Sequence, residues 1–240
     1  MDSVRGLWKG WSLMKCRPEV RPFLAAVLAG AVLAGLGARL AGLGNGVSAA
    51  IVGAAWLAGS AYMLFFFRDP DRIVPGNPLM IVAGADGVVA RITQIREERF
   101  LNAEAIRISI FLSLFDVHVN RAPMSGRSAF LGYYPGKRHF TFREKSSWEN
   151  QHNAILINGE RTQCVVLQIV GPFCRRVVYW LDHAAPVSVG KGARIGMMKF
   201  GSRLDMIFPK GDIEVIAREG DTVRAGETVV ARIRTTGEDA

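Results

Sequence analysis

Near its C-terminus the chain reads Arg194-Ile-Gly-Met-Met-Lys-Phe-Gly-Ser-Arg-Leu-Asp-Met-Ile-Phe-Pro209. A serine behind a glycine in a tight turn can attack the carbonyl that precedes it. The glycine leaves that carbonyl uncrowded and opens backbone angles closed to other residues. Attack by Ser202 on Gly201 would break the chain there. It would also leave a new reactive group, built from Ser202, at the start of the C-terminal fragment. A serine hydroxyl is a weak nucleophile at its ordinary acidity, so it needs a base, and the base needs orienting. Two residues offer themselves. Asp86 stands in Ala85-Asp-Gly87 between two strand-like runs, where the plainer reading is a turn cap. His118 alternates with Val117 and Val119, and alone it reads as well as a satisfied, half-buried histidine. Taken with the downstream Gly-Ser pair, the three read as an Asp-His-Ser trio.

Further motifs surround these residues. Phe65-Phe-Phe-Arg-Asp-Pro-Asp-Arg-Ile-Val-Pro75 follows an apolar segment. Next come Ala85-Asp-Gly87, Phe115-Asp-Val-His-Val-Asn-Arg-Ala-Pro123 and Trp148-Glu-Asn-Gln-His-Asn153, with Phe200-Gly-Ser-Arg-Leu-Asp205 last. In this order, over roughly Phe65 to Pro209, the chain resembles the phosphatidylserine decarboxylases of the short prokaryotic type. The resemblance implies a self-processing membrane enzyme of phospholipid synthesis. Ser202 would become a covalent pyruvoyl group, with no pyridoxal phosphate and no metal. The precursor would split into a large chain, residues 1–201, and a small chain starting at 202. The substrate amine would form a Schiff base with the pyruvoyl carbonyl, an electron sink that side chains lack. His118 would return a proton after loss of CO₂, and the product would be phosphatidylethanolamine.

The chain departs from the family pattern in two places. Longer relatives carry two histidines three apart, and here the second position is Arg121. That arginine could instead bind a substrate carboxylate or phosphate through its forked guanidinium. The cleavage motif reads Phe200-Gly-Ser-Arg203, where the long forms have Leu-Gly-Ser-Thr. Asn150 and Asn153 stand as structural residues or headgroup contacts. Rival readings stay open on the residues alone. One is a pyruvoyl decarboxylase of a soluble amino acid. Another is a biotinyl- or lipoyl-like carrier modified at Lys199, and a third is a β-rich membrane adaptor without catalysis.

The elements that must position these residues fall into two parts. Residues 1–70 read as a membrane anchor. From Phe23 to Phe67 the only charge is Arg39. Helices over about 23–43 and 47–67, around a Gly44-Asn45-Gly46 turn, would each be long enough to cross a bilayer core of roughly 30 Å. Small residues recur every fourth position, at Ala26, Gly30, Ala34, Ala38 and Gly42, with Ala50, Ala54 and Ala58 in the second segment. Such stripes allow close helix packing in lipid. A re-entrant or interfacial pair is the alternative. Arg5, Lys9, Lys15, Arg17 and Arg21 precede the hairpin, and Arg68 and Arg72 follow it. By the positive-inside tendency both ends then lie in the cytoplasm, with the catalytic part on the cytoplasmic face of the cell membrane.

The formal charge is +9. Small basic clusters at Lys137-Arg138, Arg143, Lys145 and Arg175-Arg176 suit either anionic headgroups or plain solvation. The membrane accounts for the charge, and no nucleic-acid motif is present, so nucleic acid is not an expected partner. The expected partners are a phospholipid substrate and the two chains of one precursor. Association with further copies of the chain stays open. Cys16, Cys164 and Cys174 form no CxxC pair and suit a reducing compartment, with Cys164 and Cys174 as buried thiols. His and Cys spacing fits no metal site.

Residues 71–240 read as a mostly β catalytic domain, antiparallel and like a barrel-sandwich hybrid. Pro70, Pro75, Gly76 and Pro78 make a linker. Strands are expected over Leu79–Ala83, Val88–Ile95, Ile106–Leu114, Ser128–Tyr133, Cys164–Val170, Arg176–Leu181 and Arg194–Phe200. Val187–Gly196 and Val215–Val230 share a Gly-turn-strand shape seen in biotinyl- and lipoyl-type sandwiches. Gly201–Ser202 then falls between Arg194–Phe200 and Leu204–Phe208, a turn that suits an exposed nucleophile. If Ser202 cuts the chain, the purified protein runs as two chains, and the smaller has the mass of residues 202–240 with a blocked first residue. Ser202→Ala stays whole and inactive. Intact-mass measurement decides, and a cut Ser202→Ala chain removes this serine from the chemistry.

Overall fold

The computed structural model describes residues 15–137, 139, 146–171 and 176–235. Cys174, Arg138, Arg143, Lys145, Arg175, Arg5 and Lys9, all named above, lie outside the described residues. The chain divides into two compact units at Asp71/Arg72.

In the first unit a 3-10 turn over Pro18–Val20 leads into α1 (Arg21–Leu40), and α2 (Asn45–Phe66) follows. Pro22 sits at the start of α1, where its missing N–H costs no hydrogen bond. Both helices are long and apolar enough to cross a membrane. Only 11% and 6% of their most apolar windows are buried, so they are not the core helices of a globular domain. They pack on each other through small residues, but not through the expected stripe. Ala31 and Gly35 are the buried positions of α1, and Gly35 lies against Val52. Gly59 lies against Val27, where an added Cβ would fall 2.6 Å from a Val27 methyl carbon and would not fit. Ala26, Gly30, Ala34, Ala50, Ala54 and Ala58 face outward. Both rows contain small side chains. Their composition therefore allowed either to face the partner helix, and the tight fit of Gly35 and Gly59 around valines selects one.

The second unit is antiparallel β. Its first strands are β1 (Met80–Val82), β2 (Gly87–Glu97), β3 (Ala103–Leu112), β4 (Val119–Arg121) and β5 (Gly126–Tyr134). A short helix, α3 (Ser146–Glu149), precedes β6 (His152–Asn158) and β7 (Gln163–Val170). Then come β8 (Arg176–Tyr179), β9 (Val187–Val189), β10 (Arg194–Lys199) and β11 (Ser202–Pro209). The last are β12 (Ile213–Val215), β13 (Thr222–Val223) and β14 (Val229–Ile233). The main sheet runs β13-β2-β3-β11-β7-β6-β5-β9, and two three-stranded sheets run β4-β10-β8 and β1-β14-β12.

Period-two alternation sorts the side chains of the main sheet. On one face Ile108, Ile110, Leu112, Leu204, Met206, Phe208, Val166, Ile155 and Ile157 join the principal core. Ile81, Val230 and Ile213 from one small sheet and Ile195, Met198 and Tyr179 from the other complete it. The opposite face holds a second cluster of Ala105, Ile207, Val165, Leu167, Ile169 and Ala154. Cys164 is fully buried in the principal core, and burial pushes its thiol far up.

β11 is the central element. From Ser202 to Ile207 it pairs with β3 on one side and β7 on the other. It ends at Pro209, which has no N–H to continue the ladder. β6 escaped the sequence reading because it mixes His152 and Asn153 with its apolar residues. β12 escaped because it is short and ringed by turn residues, whereas β13 and the start of β14 fall inside the Val215–Val230 pattern.

Candidate active site

Between β10 and β11 the chain leaves one sheet and enters another. Phe200 and Gly201 make that corner with φ of +66° and +51°. For Gly201 this conformation is routine. For Phe200 it is the sparsely populated left-handed region, which costs about 1–3 kcal/mol and persists only where the surroundings enforce it. Ser202 follows at once as the first residue of β11. It is fully buried, not exposed as the turn position suggested. The physical reason is that β11 starts two residues earlier than its apolar run and has a neighbouring strand on each side. Among the described residues its Oγ has no hydrogen-bond partner.

Register brings the other candidates to the same end of the main sheet. Ser202 lies opposite Leu112, the last residue of β3, and opposite Val170, the last residue of β7. The segment leading to His118 starts directly after Leu112. β2 begins at Gly87, with Val88 opposite Phe111. Gly87 has φ +141°, and a Cβ there would strike the Phe111 carbonyl, so only glycine lets Asp86 approach this end.

The loop before His118 is built by one carboxylate. Asp116 Oδ2 accepts from the Ser113 N–H at 2.7 Å and from the Ser113 hydroxyl at 2.6 Å. The Asp116 carbonyl then accepts from His118 Nδ1 at 2.9 Å. A carbonyl can only accept, so Nδ1 carries the proton and a neutral ring keeps its lone pair on Nε2. His118 is fully buried, and its own carbonyl takes the Met198 N–H at 3.1 Å. This ties His118 to β10, four residues before Ser202.

Asp86 is set by a different group. Arg72 Nη2 donates to its two oxygens at 3.0 and 2.7 Å, and the Ala225 N–H donates to Oδ1 at 2.8 Å. Arg72 also lies 3.5 Å from Glu227. Burial pushes the Asp86 carboxyl above its ordinary value, while the Arg72 charge and the Ala225 N–H oppose the rise. The Asp116 charge acts in the same direction as burial. The imidazole is thus oriented by the Asp116 carbonyl, and Asp86 is oriented by Arg72. Both Arg72 and Asp116 lay within motifs singled out in the sequence. A serine three residues before an aspartate is a local turn signal, but the long-range reach of Arg72 to Asp86 left none.

The remaining candidates line the surroundings. Arg121 is buried on β4 and donates from Nη1 to the Gly192 carbonyl at 2.9 Å. Asn150 is fully used: its amide donates to the Val170 carbonyl at 2.9 Å and the His139 carbonyl at 2.7 Å, and its oxygen accepts from the His139 N–H at 3.0 Å. It therefore caps the residue that faces Ser202. Asn153 donates to Gln168 at 3.0 Å, and Gln168 donates to Asn120 at 2.8 Å. This buried amide chain runs on the Ser202 face, one step in from the Ser202–Val170 pair. Gln168 and Asn120 were not singled out in the sequence, although a glutamine inside the apolar run Cys164–Val170 marks a buried polar group needing a partner. A cavity of about 850 Å³ opens beside Gly126, Arg127 and Asn158, at the other end of the main sheet. None of the candidate residues lines it.

These features describe an antiparallel β domain with a buried serine behind a left-handed backbone pair and a tautomer-fixed imidazole tied to the preceding strand. Comparison with known proteins makes it specific. The sequence model described as phosphatidylserine decarboxylase matches residues 60–231. The phosphatidylserine decarboxylase proenzyme of Carboxydothermus hydrogenoformans is 39% identical over 173 residues, 72% of this chain and 80% of that one. The proenzyme of the same name from Prosthecochloris aestuarii is 42% identical over 172 residues, 72% of this chain and 77% of that one. That of Symbiobacterium thermophilum is 35% identical over 218 residues, 88% of this chain and 93% of that one. The chain belongs to the phosphatidylserine decarboxylase family, and it is a decarboxylase. The carrier and adaptor readings fall with that.

A raised folded-state pKa at Asp86 means the folded chain holds this proton more tightly than the unfolded chain. The stability it contributes is therefore full below the unfolded value and is lost as pH rises through the folded value. Arg72 is the strongest influence opposing burial. Arg72→Gln should push the Asp86 titration further up. Carboxyl-carbon NMR on the uncut Ser202→Ala protein measures it, and an unchanged or lowered value would contradict the role given to Arg72.

Proposed function

We infer that the protein decarboxylates phosphatidylserine to phosphatidylethanolamine through a pyruvoyl group made from its own Ser202. The observation that carries this reading is the corner at Phe200-Gly201, left-handed at both residues, with the buried Ser202 hydroxyl directly behind it. His118 Nε2 takes the Ser202 proton, and Oγ attacks the Gly201 carbonyl carbon. The bond from that carbon to the Ser202 nitrogen breaks, the nitrogen gains a proton, and an ester replaces the amide. Loss of the Ser202 Cα proton then expels Gly201 as a carboxylate by breaking the Cβ–Oγ bond. Water replaces the remaining nitrogen, which leaves as ammonia. Leu112 and Val170, flanking Ser202, keep this end of the sheet dry, so the charge on attacked oxygen and imidazole is felt strongly.

The residues fit the group. When formed, it supplies an electron sink for the pair released with CO₂. His118 stays beside it to hold and return a proton. Asp86, held by Arg72, stabilises the imidazolium. Arg121 contacts a substrate carboxylate or phosphate, with Asn150 and Asn153 shaping the wall beside it.

The finer architecture follows the same reading. Residues 1–70 form the anchor and 71–240 the catalytic domain, a barrel-sandwich hybrid in which the two Gly-turn-strand halves pack together. The helical hairpin spans the cell membrane with both ends in the cytoplasm. An anchor serves a lipid substrate, whereas a soluble amino acid needs none.

His118→Ala should block cleavage, and any chain that matures slowly should be about 10²–10⁴-fold less active. Arg121→Ala should cut normally and raise KM for phosphatidylserine in vesicles, with free serine not turned over. If the arginine variant alone fails to cut, the base has been misassigned. For topology, reporters fused after Met1 and after Ala240 should give the same cytoplasmic signal, with a tag at Gly44–Gly46 reachable from outside. Opposite signals from the termini mean a single span.

A further inference from the structure

On the face of the main sheet opposite Ser202, three ionised side chains are buried together. Arg203 is 4% exposed, Asp205 0% and Arg107 3%. Arg203 Nε lies 2.9 Å from Asp205 Oδ1, and its Nη2 donates to Oδ2 at 3.1 Å. Arg107 Nε stands 4.0 Å from the same Oδ2. Asp205 lies opposite Ser109 on β3, and Arg107 is two residues further along that strand. The cluster therefore ties β11 to β3. His152, next in the same row beyond Ile169, is also buried here, and the Asp205 charge partly offsets the fall that burial imposes on it. None of these groups takes part in the reaction above. Burying three charges is expensive, and apolar packing would hold two strands as well.

What they could do follows from where the chain is cut. Cleavage makes position 202 the first residue of the small chain. It removes the covalent tether to Gly201 and the N–H of residue 202. The end of a strand frays unless it is tied down, while a reacting carbonyl must stay within about 0.5 Å of its place. Residue 203 becomes the first with a backbone N–H. Its side chain is already forked onto Asp205, which faces Arg107 of the large chain.

We propose that Arg203, Asp205 and Arg107 form a clamp that keeps the start of the small chain in register after the Gly201–Ser202 bond is broken. They are positioning residues, acting from behind the sheet on the group at 202. The proposal rests on the cleavage read above, and its test separates the two. Asp205→Asn is compared in the cleavable protein and in the uncut Ser202→Ala protein. In the uncut protein the unfolding midpoint should drop modestly. In the cut protein it should drop clearly further, native mass spectrometry should show loss of residues 202–240, and kcat should fall by about tenfold to a hundredfold with KM little changed. Equal drops in both backgrounds with the small chain retained overturn the clamp. So does an Asp205→Asn chain that fails to cut, since the cluster would then act before cleavage. A wild-type chain that stays whole sinks the cleavage reading and the clamp together. If Asp205→Asn does not fold, Arg107→Lys, which keeps the charge but not the fork, is put through the same comparison and decides.

Discussion

Everything at the candidate site depends on β11 being paired on both sides. A strand between two neighbours satisfies every backbone group through its ladders and cannot shift by one residue without turning its side chains inside out. Leu204, Met206 and Phe208 anchor it in the principal core, each contributing about 1.5–3 kcal/mol by burial. That register puts Ser202 on the core face and Arg203 on the other. It also fixes the point where the chain must turn in from β10, and so it enforces the left-handed pair at Phe200 and Gly201. A strained peptide held by two rigid ladders cannot relax by moving its ends.

The electrostatics follow the same economy of position. His118 and Asp86 are both buried, and each is oriented by a partner outside the expected trio. The imidazole takes its tautomer from a backbone carbonyl, which leaves Nε2 as the nitrogen that can accept a proton. Asp86 lies against Arg72, and burial and ion pairing pull its proton affinity in opposite directions. Around them, buried amides of Asn150, Asn153, Gln168 and Asn120 are joined in hydrogen bonds rather than left to water, which makes this end of the sheet both polar and rigid.

The first unit answers to a different solvent. Two helices of about twenty residues with outward-facing leucines, alanines and a tryptophan would be insoluble as an exposed pair in water. Their mutual contact is small and built around Gly35 and Gly59, as expected where lipid gives no hydrophobic drive for helix association. A family whose substrate resides in a bilayer gives such a pair a purpose.

The sequence by itself determined the local features. The helical pair follows from two long uncharged runs, and the β domain from short runs rich in valine, isoleucine and aromatics between glycines and prolines. Gly201–Ser202 was legible because a reactive peptide needs glycine beside the nucleophile, and His118 and Asp86 because their motifs stand in order along the chain. Tertiary structure alone decided which helix row faces inward, since two rows of small residues were equally able to. It alone decided that Ser202 is buried, because burial depends on the strands either side and not on the turn before it. Arg72 meeting Asp86, Asp116 holding His118, and Arg107 meeting Asp205 are likewise beyond local reading. Each pairs charges or polar groups whose proximity is set by strand register, and register is a property of the assembled sheet.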